Sequence, residues 1–436
     1  MPRGPQAAAS TRAAVTPGPD TDVAVLGAGI VGLAVALEVQ RRGRRVALIA
    51  PDDPRGRASF GNAGVVSLGS ILPVAGPGLV GRLPRYLLGR DPAVRIRPGA
   101  LPAAAPWAAR FLRLCNEAAW RQAARALAPL VAASLAAHEA LAADLGCAHR
   151  IRRHGYLRVW REEGGLGGAA LEREILREHG VATEALSADA IAEIEPHLAR
   201  RYACGLLATD SASIHTPGDL LDRMERAFLE RGGTRLRAPV RALAATTDGV
   251  TLYVSAGECR AAHAVVAAGA RSAPLALPAG DRIPLAAERG YHREVALAGN
   301  ATLTRPVHDA AGGFVMAPMD GRIRVTSGVE LARPDDPPDH AQIHGAFADA
   351  GQSLPFAPES AGEIWMGSRP STPDSLPVIG VATKTPRVVY AFGHGHIGLS
   401  TGPVTGRLVA DLLDGKRPDV PLDPFSPRRF REAATR

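Results

Sequence analysis

A glycine-rich turn near the start of the chain constrains the fold more than any other feature. The turn reads Gly27-Ala28-Gly29-Ile30-Val31-Gly32 and follows an apolar run at residues 23–26. Residues 31–40 then have helical spacing, and residues 45–49 form a second apolar run. Strand, turn, helix and strand in this order predict a βαβ unit of a parallel sheet. There the glycines let the backbone approach a pyrophosphate at the helix N-terminus; the alternative is a tight turn without a ligand.

The end of the second predicted strand departs from the usual dinucleotide-binding pattern. An acidic residue normally binds the ribose hydroxyls there, but this chain has Ala50. Asp52 and Asp53 are the nearest substitutes, and we expect Asp52 to contact the cofactor. Three arginines lie close in sequence and could bind the 2′-phosphate of NADP, so this segment alone does not distinguish FAD from NADP: Arg45, Arg55 and Arg57.

Composition bounds the class of protein. With 436 residues and 46% hydrophobic content, the chain can bury a large core and should hold two structural units. No apolar run approaches the ~20 residues of a membrane span. Because only 4% of residues are aromatic, we expect no nucleic-acid partner despite the net charge of +8. The four cysteines lack the spacing of a zinc site or a disulfide framework. We therefore expect no metal and a cytoplasmic protein, either free or peripherally associated with the inner membrane.

Local patterns divide the rest of the chain. Residues 1–21 have no sustained apolar core and predict a disordered tail that folding does not need. Residues 106–145 have helical periodicity, with Trp107 and Phe111 expected in the core. Residues 234–240 and 250–254 predict paired strands. Residues 264–268 predict a buried strand that runs into Gly269, which would lie at the carboxyl edge of a doubly wound sheet, where ligands bind.

Two C-terminal segments carry residues suited to an active site. The run Gly393-His394-Gly395-His396-Ile397-Gly398 is too rich in glycine for a helix and precedes a predicted helix at residues 401–413. Such a loop lets backbone approach a planar ring, and the helix N-terminus stabilises negative charge. Arg369, fixed before Pro370, offers a planar guanidinium for a carboxylate, with a structural ion pair as the alternative. The two histidines lack the further ligands of a metal site.

Together these segments resemble the FAD-dependent D-amino-acid oxidase and dehydrogenase superfamily over nearly the whole chain after the tail. The matching motifs are residues 27–32, Ala58-Ser59-Phe60-Gly61-Asn62-Ala63-Gly64, Ala268-Gly269-Ala270, Arg369-Pro370 and residues 394–398. Within that group, Glu288-Arg289-Gly290-Tyr291-His292 and the doubled histidine are similar to hydroxy-D-proline dehydrogenases.

The resemblance implies an α/β fold in two domains. An FAD-binding, Rossmann-like domain with a parallel sheet is expected from the separated segments 22–75, 185–285 and 364–425. An α+β substrate domain with a mostly antiparallel sheet is expected from residues 76–184 and 286–363. The residues expected to bind FAD are Gly27, Gly29, Ile30, Val31, Gly32, Asp52, Ser59, Asn62, Ala63, Gly64, Val240, Gly269, His394, Gly395, His396, Gly398 and Leu399.

The resemblance also implies oxidation of a small-molecule amino acid. The Cα hydrogen would leave as hydride from the free-base amine, while Arg369 holds the carboxylate and Tyr291 or His396 supports it or shapes the amine site. A strand alternates its faces, so only one of Tyr291 and His292 can face the substrate. The expected substrate is a D-amino acid or a cyclic imino acid, with cis-4-hydroxy-D-proline as the specific candidate.

Other functions stay open at this point. One alternative is a sarcosine or glycine oxidase, and another is a non-catalytic or NADP-binding protein on the same nucleotide fold. The electron acceptor is open among a quinone, an electron-transfer protein and oxygen.

Overall fold

The glycine turn joins the first strand to the first helix, as the sequence predicts. The computed structural model describes residues 21–432 except Ala256, Pro334 and Asp335. Most of the predicted tail, residues 1–20, lies outside these described residues. Thr21 does not belong to a tail, because it begins the first strand and pairs with Ala261.

The elements follow in chain order. The strands are β1 (Thr21–Leu26), β2 (Val46–Ala50), β3 (Val65–Val66), β4 (Val94–Ile96), β5 (Ile151–Arg152), β6 (Tyr156–Trp160), β7 (Thr183–Ser187), β8 (Cys204–Ala208), β9 (Ala212–Ile214), β10 (Thr234–Arg237), β11 (Val240–Ala245), β12 (Val250–Val254), β13 (Gly257–Val266), β14 (Ala286–Leu297), β15 (Val307–Asp309), β16 (Phe314–Met319), β17 (Arg322–Thr326), β18 (Val329–Leu331), β19 (Phe356–Ala357), β20 (Trp365–Ser371), β21 (Val378–Val381) and β22 (Val388–Phe392). The α-helices are α1 (Ile30–Arg41), α2 (Leu79–Leu87), α3 (Leu101–Leu114), α4 (Glu117–Ala132), α5 (Ser134–Asp144), α6 (Gly165–Gly168), α7 (Ala170–Glu178), α8 (Ala188–Ile194), α9 (Pro217–Glu230), α10 (Ser272–Ala276), α11 (Ala341–Ala350), α12 (Gly398–Leu413) and α13 (Arg429–Glu432).

The first sheet contains the predicted βαβ unit. Its path is β10-β2-β1-β13-β12-β11, and β22 also pairs with β13. The pairs β10–β2, β2–β1, β1–β13 and β13–β22 are parallel, and β1 and β2 are apolar and buried, as expected for strands covered on both faces. The predicted pairing of residues 234–240 with 250–254 is wrong. β12 pairs with β11, whereas β10 pairs in parallel with β2.

The second sheet is mostly antiparallel, so the predicted α/β class with two different sheets is confirmed. Its path is β4-β18-β14-β17-β16-β15-β6-β8-β7, with β19 and β20 also on β14. β7, β8 and β20 belong to this sheet, although the expected boundaries assigned most of these residues to the FAD-binding domain. The sheet to which a strand belongs depends on its pairing with distant segments. Local periodicity does not contain that information. The domain boundaries themselves remain a proposal.

Helices α1 and α12 pack closely through two glycines. A Cβ at Gly402 would lie 2.9 Å from Ile30, and one at Gly406 would lie 2.7 Å from the backbone of Ala34. The contact runs in the same order along both helices, so the two helices are parallel. Their N-termini therefore lie at the same end of the first sheet.

Helices α4 and α5 form a long apolar segment. By length and composition, residues 117–144 are the one stretch in the described part of the chain that could cross a membrane. Trp120, Leu127, Leu130 and Val131 of this segment are buried in the core that also contains α1. A core helix passes the same test, so the segment is weak evidence for a membrane span.

The glycine contact between α1 and α12 predicts an unusual response to alanine. In an open helix position, Gly→Ala stabilises by about 0.5–1 kcal/mol. Gly406→Ala should instead destabilise by about 1–3 kcal/mol, because the added methyl group meets the Ala34 backbone. Gly345→Ala is the control, since nothing lies within 4 Å of its Cβ position in α11. Urea unfolding of both variants measures the difference, and equal stability would contradict the packing role.

Candidate active site

Three glycine-containing segments meet at the carboxyl edge of the first sheet. Leu26 pairs with Val266, and Val266 pairs with Tyr390, on three adjacent parallel strands. The residues that follow these strands include Gly27, Gly269 and Gly393. Because parallel strands end at a common edge, the sequence motifs that lie far apart in the chain come together here.

The three glycines of the turn have different roles. Gly27 has φ = 116°, and a side chain there would collide with the Ala267 carbonyl group. A Cβ at Gly32 would collide with the Gly27 carbonyl oxygen. Gly29, in contrast, has φ = −73° and only the Ser59 hydroxyl near its Cβ position, at 3.7 Å. Gly27 and Gly32 are therefore needed for packing, whereas Gly29 leaves space in front of the helix.

The N-terminus of α1 has features that suit an anionic ligand. Its first turn has no acidic residue and Gly29 provides no side-chain cap, while Ile30 N donates to Ser59 Oγ at 3.2 Å. Arg57 is 9% exposed and pairs through one nitrogen with Glu225. Its Nη1 atom is buried without a hydrogen-bond partner among the described residues. The amide donors and the helix dipole fit the pyrophosphate of FAD. Arg57 shares Glu225 with Arg235, which donates to Ala50 O, so its unpartnered nitrogen belongs to the neighbouring region at the end of β2.

The second sheet holds the loop that resembles the FAD-contacting motif. Arg324 donates to the carbonyl oxygens of Phe60 and Asn62 at 3.2 and 2.6 Å. His292 Nδ1 lies 3.0 Å from Gly61 O, and its ring stacks on Trp365 with centroids 4.8 Å apart. Burial, with the nearby Arg324 charge, lowers the pKa of His292 to about 3, so this ring is neutral. Within the loop, Asn62 Oδ1 accepts from Gly64 N at 2.9 Å, which fixes the turn before β3.

The C-terminal loop lies against the same edge. Gly393 and Gly395 have φ values of 78° and 51°, and Gly398 begins α12. His394 is 3% exposed and bonds through Nε2 to Thr405 Oγ1 at 3.1 Å, and burial lowers its pKa to about 3. His394 is therefore a neutral residue that fixes the loop on α12. Leu399 is buried in the core, and its carbonyl oxygen lies 2.8 Å from His138 Nε2.

Near Ala50, where the ribose is expected, Ala50 and Asp52 have partners within the protein. Ala50 O accepts from Arg235 at 2.9 Å, and Asp52 pairs with Arg237 at 3.0 Å with both side chains exposed. Val240 begins β11, and Gly269 has φ = 56° with open space at its Cβ position. The predicted cofactor contacts of Asp52, Val240 and Gly269 stay predictions.

The substrate side is built on the pair β14–β20. Glu288 lies directly opposite Arg369, and Gly290 opposite Gly367, so these four residues share one face. The Arg369 guanidinium packs over Gly290, and its one hydrogen bond among the described residues is a long one of 3.4 Å to Gly328 O. Burial lowers the pKa of Arg369, although Glu288 opposes this, and no carboxylate of the described chain forms an ion pair with it. The structural ion pair that was the alternative for Arg369 is absent from this part of the molecule.

A buried carboxylate and an imidazole complete this face. Glu288 is 4% exposed, and its Oε2 lies 2.9 Å from His396 Nε2. Burial alone would raise the pKa of Glu288, but the hydrogen bond from His396 and the charges of His396 and Arg369 lower it overall. Glu288, Ser371 and His396 line one cavity together with Phe111 and the segment before α2. Glu288 is therefore a site residue that sequence reasoning missed, and only the strand register reveals it.

Tyr291 does not belong to this face. It lies opposite Met366, on the other side of the β14–β20 pair from Arg369, and is 1% exposed. Its hydroxyl donates to Glu330 and accepts from Asp339 N at 3.2 Å. Arg369 and His396 thus both lie beside Glu288, whereas Tyr291 lies on the opposite face. The active-site role expected of Tyr291 gains no support from this position and stays a prediction. Strand alternation places His292 on the Arg369 face instead.

Two aromatic residues of α3 also reach the site. Trp107 Nε1 donates to Ser371 O at 2.9 Å, and the ring stacks on Phe111 with centroids 4.9 Å apart. Phe111 lines the cavity beside Glu288 and His396. The helical periodicity correctly indicated buried positions, but it did not distinguish a core position from a pocket wall.

Comparison with known proteins agrees with this geometry. Residues 22–412 match the family described as FAD dependent oxidoreductase. A D-amino-acid oxidase of Bradyrhizobium diazoefficiens is 36% identical, covering 94% of this chain and 98% of its own. A D-amino acid dehydrogenase of Xanthobacter autotrophicus is 31% identical, covering 94% of this chain and 100% of its own. The solved structure of glycine oxidase from Geobacillus kaustophilus has a TM-score of 0.74 and 22% identity, covering 93% of this chain and 98% of that enzyme. It shows the same fold.

The open space at Gly29 predicts a variant that loses cofactor but keeps its fold. In Gly29→Val the side chain finds room against the protein, because only Ser59 Oγ lies near the Cβ position. It would occupy the space proposed for the pyrophosphate, so FAD content should fall while the melting temperature of the cofactor-free protein stays unchanged. Flavin absorbance per chain and thermal unfolding measure both. Full flavin occupancy in this variant would contradict the pyrophosphate assignment.

Proposed function

The chain belongs to the FAD-dependent oxidoreductase family, and from this premise we propose that it oxidises a D-amino acid or a cyclic imino acid such as cis-4-hydroxy-D-proline. The protein is an FAD-dependent amino-acid oxidoreductase. The family match favours FAD over NADP and argues against a non-catalytic nucleotide-binding protein.

The observation that carries the proposal is the state of Arg369. Its guanidinium is partly buried, makes no ion pair with any residue that the structure describes, and has one weak hydrogen bond to Gly328 O. A cation withdrawn from water without a counter-charge is unfavourable, so this position suits an anionic ligand. A planar guanidinium binds a carboxylate through two parallel hydrogen bonds. We assign this role to the substrate carboxylate.

The partner charge lies directly across the strand pair. Glu288 is a buried carboxylate in the cavity and has a lowered pKa, so it carries a negative charge at neutral pH. It suits a substrate ammonium group, and His396 Nε2 lies 2.9 Å from its Oε2, which orients the carboxylate in the cavity. Arg369 and Glu288 together match the two charges of an amino-acid zwitterion.

The side chains then have separate tasks in the reaction. Arg369 fixes the carboxylate and thereby the orientation of Cα. Glu288, oriented by His396, holds the amine end of the substrate. The substrate reacts as the free-base amine after its ammonium group has lost one proton to solvent, so that the nitrogen lone pair can form the C=N bond of the imine product. FAD, when bound, accepts the Cα hydrogen as hydride. Phe111 of α3 lines the cavity with an apolar ring, which Trp107 supports from behind by stacking, and this wall restricts water.

A glycine or sarcosine oxidase is the second candidate. The likeness to glycine oxidase favours it, but at 22% identity that likeness extends to the fold alone. Phe111 and Ile397 both line the cavity, and these apolar side chains favour a substrate with a ring or side chain over glycine. Anaerobic flavin bleaching with hydroxy-D-proline, D-proline, D-alanine, glycine and sarcosine separates the candidates. Fast bleaching by glycine or sarcosine alone would overturn the preferred substrate class.

The acceptor and the location are further proposals. The relatives include a protein named an oxidase and one named a dehydrogenase, so reoxidation of the reduced flavin should be compared with oxygen, a soluble quinone and an electron-transfer protein. Cys115, Cys147, Cys204 and Cys259 are free thiols, which supports a reducing, cytoplasmic compartment.

The carboxylate assignment predicts a substrate-binding defect in Arg369→Lys. Loss of one charge-assisted hydrogen bond costs about 1.5–3 kcal/mol, so the half-saturating substrate concentration should rise by roughly one to two orders of magnitude. Flavin content should stay the same. Anaerobic stopped-flow reduction measures this, with Arg407→Lys, which pairs with exposed Asp419, as the control. If the half-saturating substrate concentration and the rate of flavin reduction are unchanged, Arg369 does not bind the substrate carboxylate and has a structural role.

The amine assignment predicts a pH effect in Glu288→Gln. Without the negative charge the substrate ammonium is bound less tightly, so the half-saturating concentration should rise. The same loss favours the neutral amine, so the acid limb of flavin reduction should move to lower pH. Because the pKa of Glu288 is lowered, wild-type Glu288 stays ionised across this range and does not itself set the limb. Flavin reduction across pH tests both effects, and an unmoved limb would exclude Glu288 from the amine site.

A further inference from the structure

Exposed apolar side chains are concentrated in one part of the chain. Five of the nine exposed large apolar residues lie between Val74 and Leu101, and Leu87 and Leu88 are 54% and 64% exposed. Helix α2 is amphipathic: Tyr86 is buried, whereas Val80 and Leu87 on the same helix face solvent. Scattered exposed leucines need no explanation, whereas several exposed aliphatic residues in one segment are typical of an interaction site.

The same segment is strongly basic. Residues 74–113 contain seven arginines and one acidic residue, Asp91, in a chain whose whole net charge is +8. Asp91 is 5% exposed and pairs with Arg82 at 2.9 Å. Arg95 pairs with Asp339 before α11, and Arg97 pairs with Glu330 of the second sheet. The remaining four form no ion pair within the described chain: Arg85, Arg90, Arg110 and Arg113.

We propose that this segment docks on an anionic phospholipid surface. The docking surface is defined as Val74, Val80, Arg85, Leu87, Leu88 and Arg90. An amphipathic helix with exposed aliphatic residues beside arginines binds at the interface between lipid headgroups and acyl chains, through apolar burial and attraction to anionic lipid.

Charge decides between a membrane and a second copy of the chain. A symmetric dimer through this surface would bring Arg85 and Arg90 of both copies together without carboxylates to neutralise them. An anionic lipid surface supplies that neutralisation and also accepts Leu87 and Leu88. Val74 belongs both to this surface and to the lining of the cavity that contains His396, so docking brings the cavity opening next to the lipid.

The test uses the full-length, FAD-loaded protein and sedimentation with lipid vesicles. Phosphatidylcholine vesicles that contain phosphatidylglycerol should bind the wild-type protein, and pure phosphatidylcholine vesicles should bind it much less. High salt should weaken the binding because it screens the arginines. At about fivefold for each basic residue, the double variant Arg85→Gln/Arg90→Gln should lower the partition coefficient roughly 25-fold. Leu87→Ser/Leu88→Ser should also lose binding.

Matched controls separate this surface from general effects. Leu229→Ser/Leu277→Ser removes two other exposed leucines, and Arg200→Gln removes an exposed arginine that pairs with Asp189; each should bind like wild type. All variants should keep their flavin and their rate of substrate-driven bleaching. Removal of residues 1–20 should also leave binding intact.

Several outcomes would overturn the proposal. These are absence of vesicle binding at low salt, undiminished binding by the double arginine variant, and loss of binding on removal of residues 1–20. Equal binding to vesicles with and without phosphatidylglycerol would exclude the anionic surface. A dimer of the wild-type protein in size-exclusion chromatography that becomes a monomer in Leu87→Ser/Leu88→Ser would assign the surface to a second copy of the chain.

Discussion

The contact between α1 and α12 is the constraint on which the site depends. Gly402 and Gly406 let the two helices approach to backbone contact at Ile30 and Ala34. Because the helices run in parallel, the positive ends of both dipoles reach the edge where β1, β13 and β22 finish. One helix N-terminus then faces the space in front of Gly29, and the other follows the His394–Gly398 loop. A cofactor with a charged diphosphate at one end and an electron-accepting ring at the other fits that arrangement.

The substrate face combines an arginine without a counter-charge in the described chain and a carboxylate that pairs with His396. Arg369 and Glu288 stand opposite each other on adjacent strands, but they form no direct ion pair in the described structure. Arg369 is withdrawn from water without a counter-charge, which is unfavourable. In the proposed complex the substrate carboxylate supplies that charge while the amine end binds Glu288. Selectivity for amino acids over simple amines or simple acids would then follow from the spacing of two strands.

Short-range sequence patterns predicted the turn and the helices of the first sheet. Strand pairing could not be predicted in the same way. The turn at Gly27–Gly32, the helix α1 that follows it and the helix α12 all depend on short-range patterns, and the structure confirms them. Pairing depends on distant residues, so β10 joined β2 instead of β12, and β20 joined the second sheet. The same limit affected the site. Arg369 and His396 were evident from their motifs, whereas the choice of Glu288 over Tyr291 required the register of β14 against β20.

Arg324 joins the two halves of the molecule through a single side chain. It is 4% exposed, pairs with Glu294 of the second sheet and donates to two carbonyl groups of the Phe60–Asn62 loop on the cofactor side. The loop expected to contact the cofactor is therefore held by a side chain of the second sheet. A chimera that joins the nucleotide-binding half of one relative to the substrate half of another must preserve this arginine together with the loop that it holds. Exchange of the two halves as independent modules would leave a buried guanidinium facing carbonyl groups at the wrong positions.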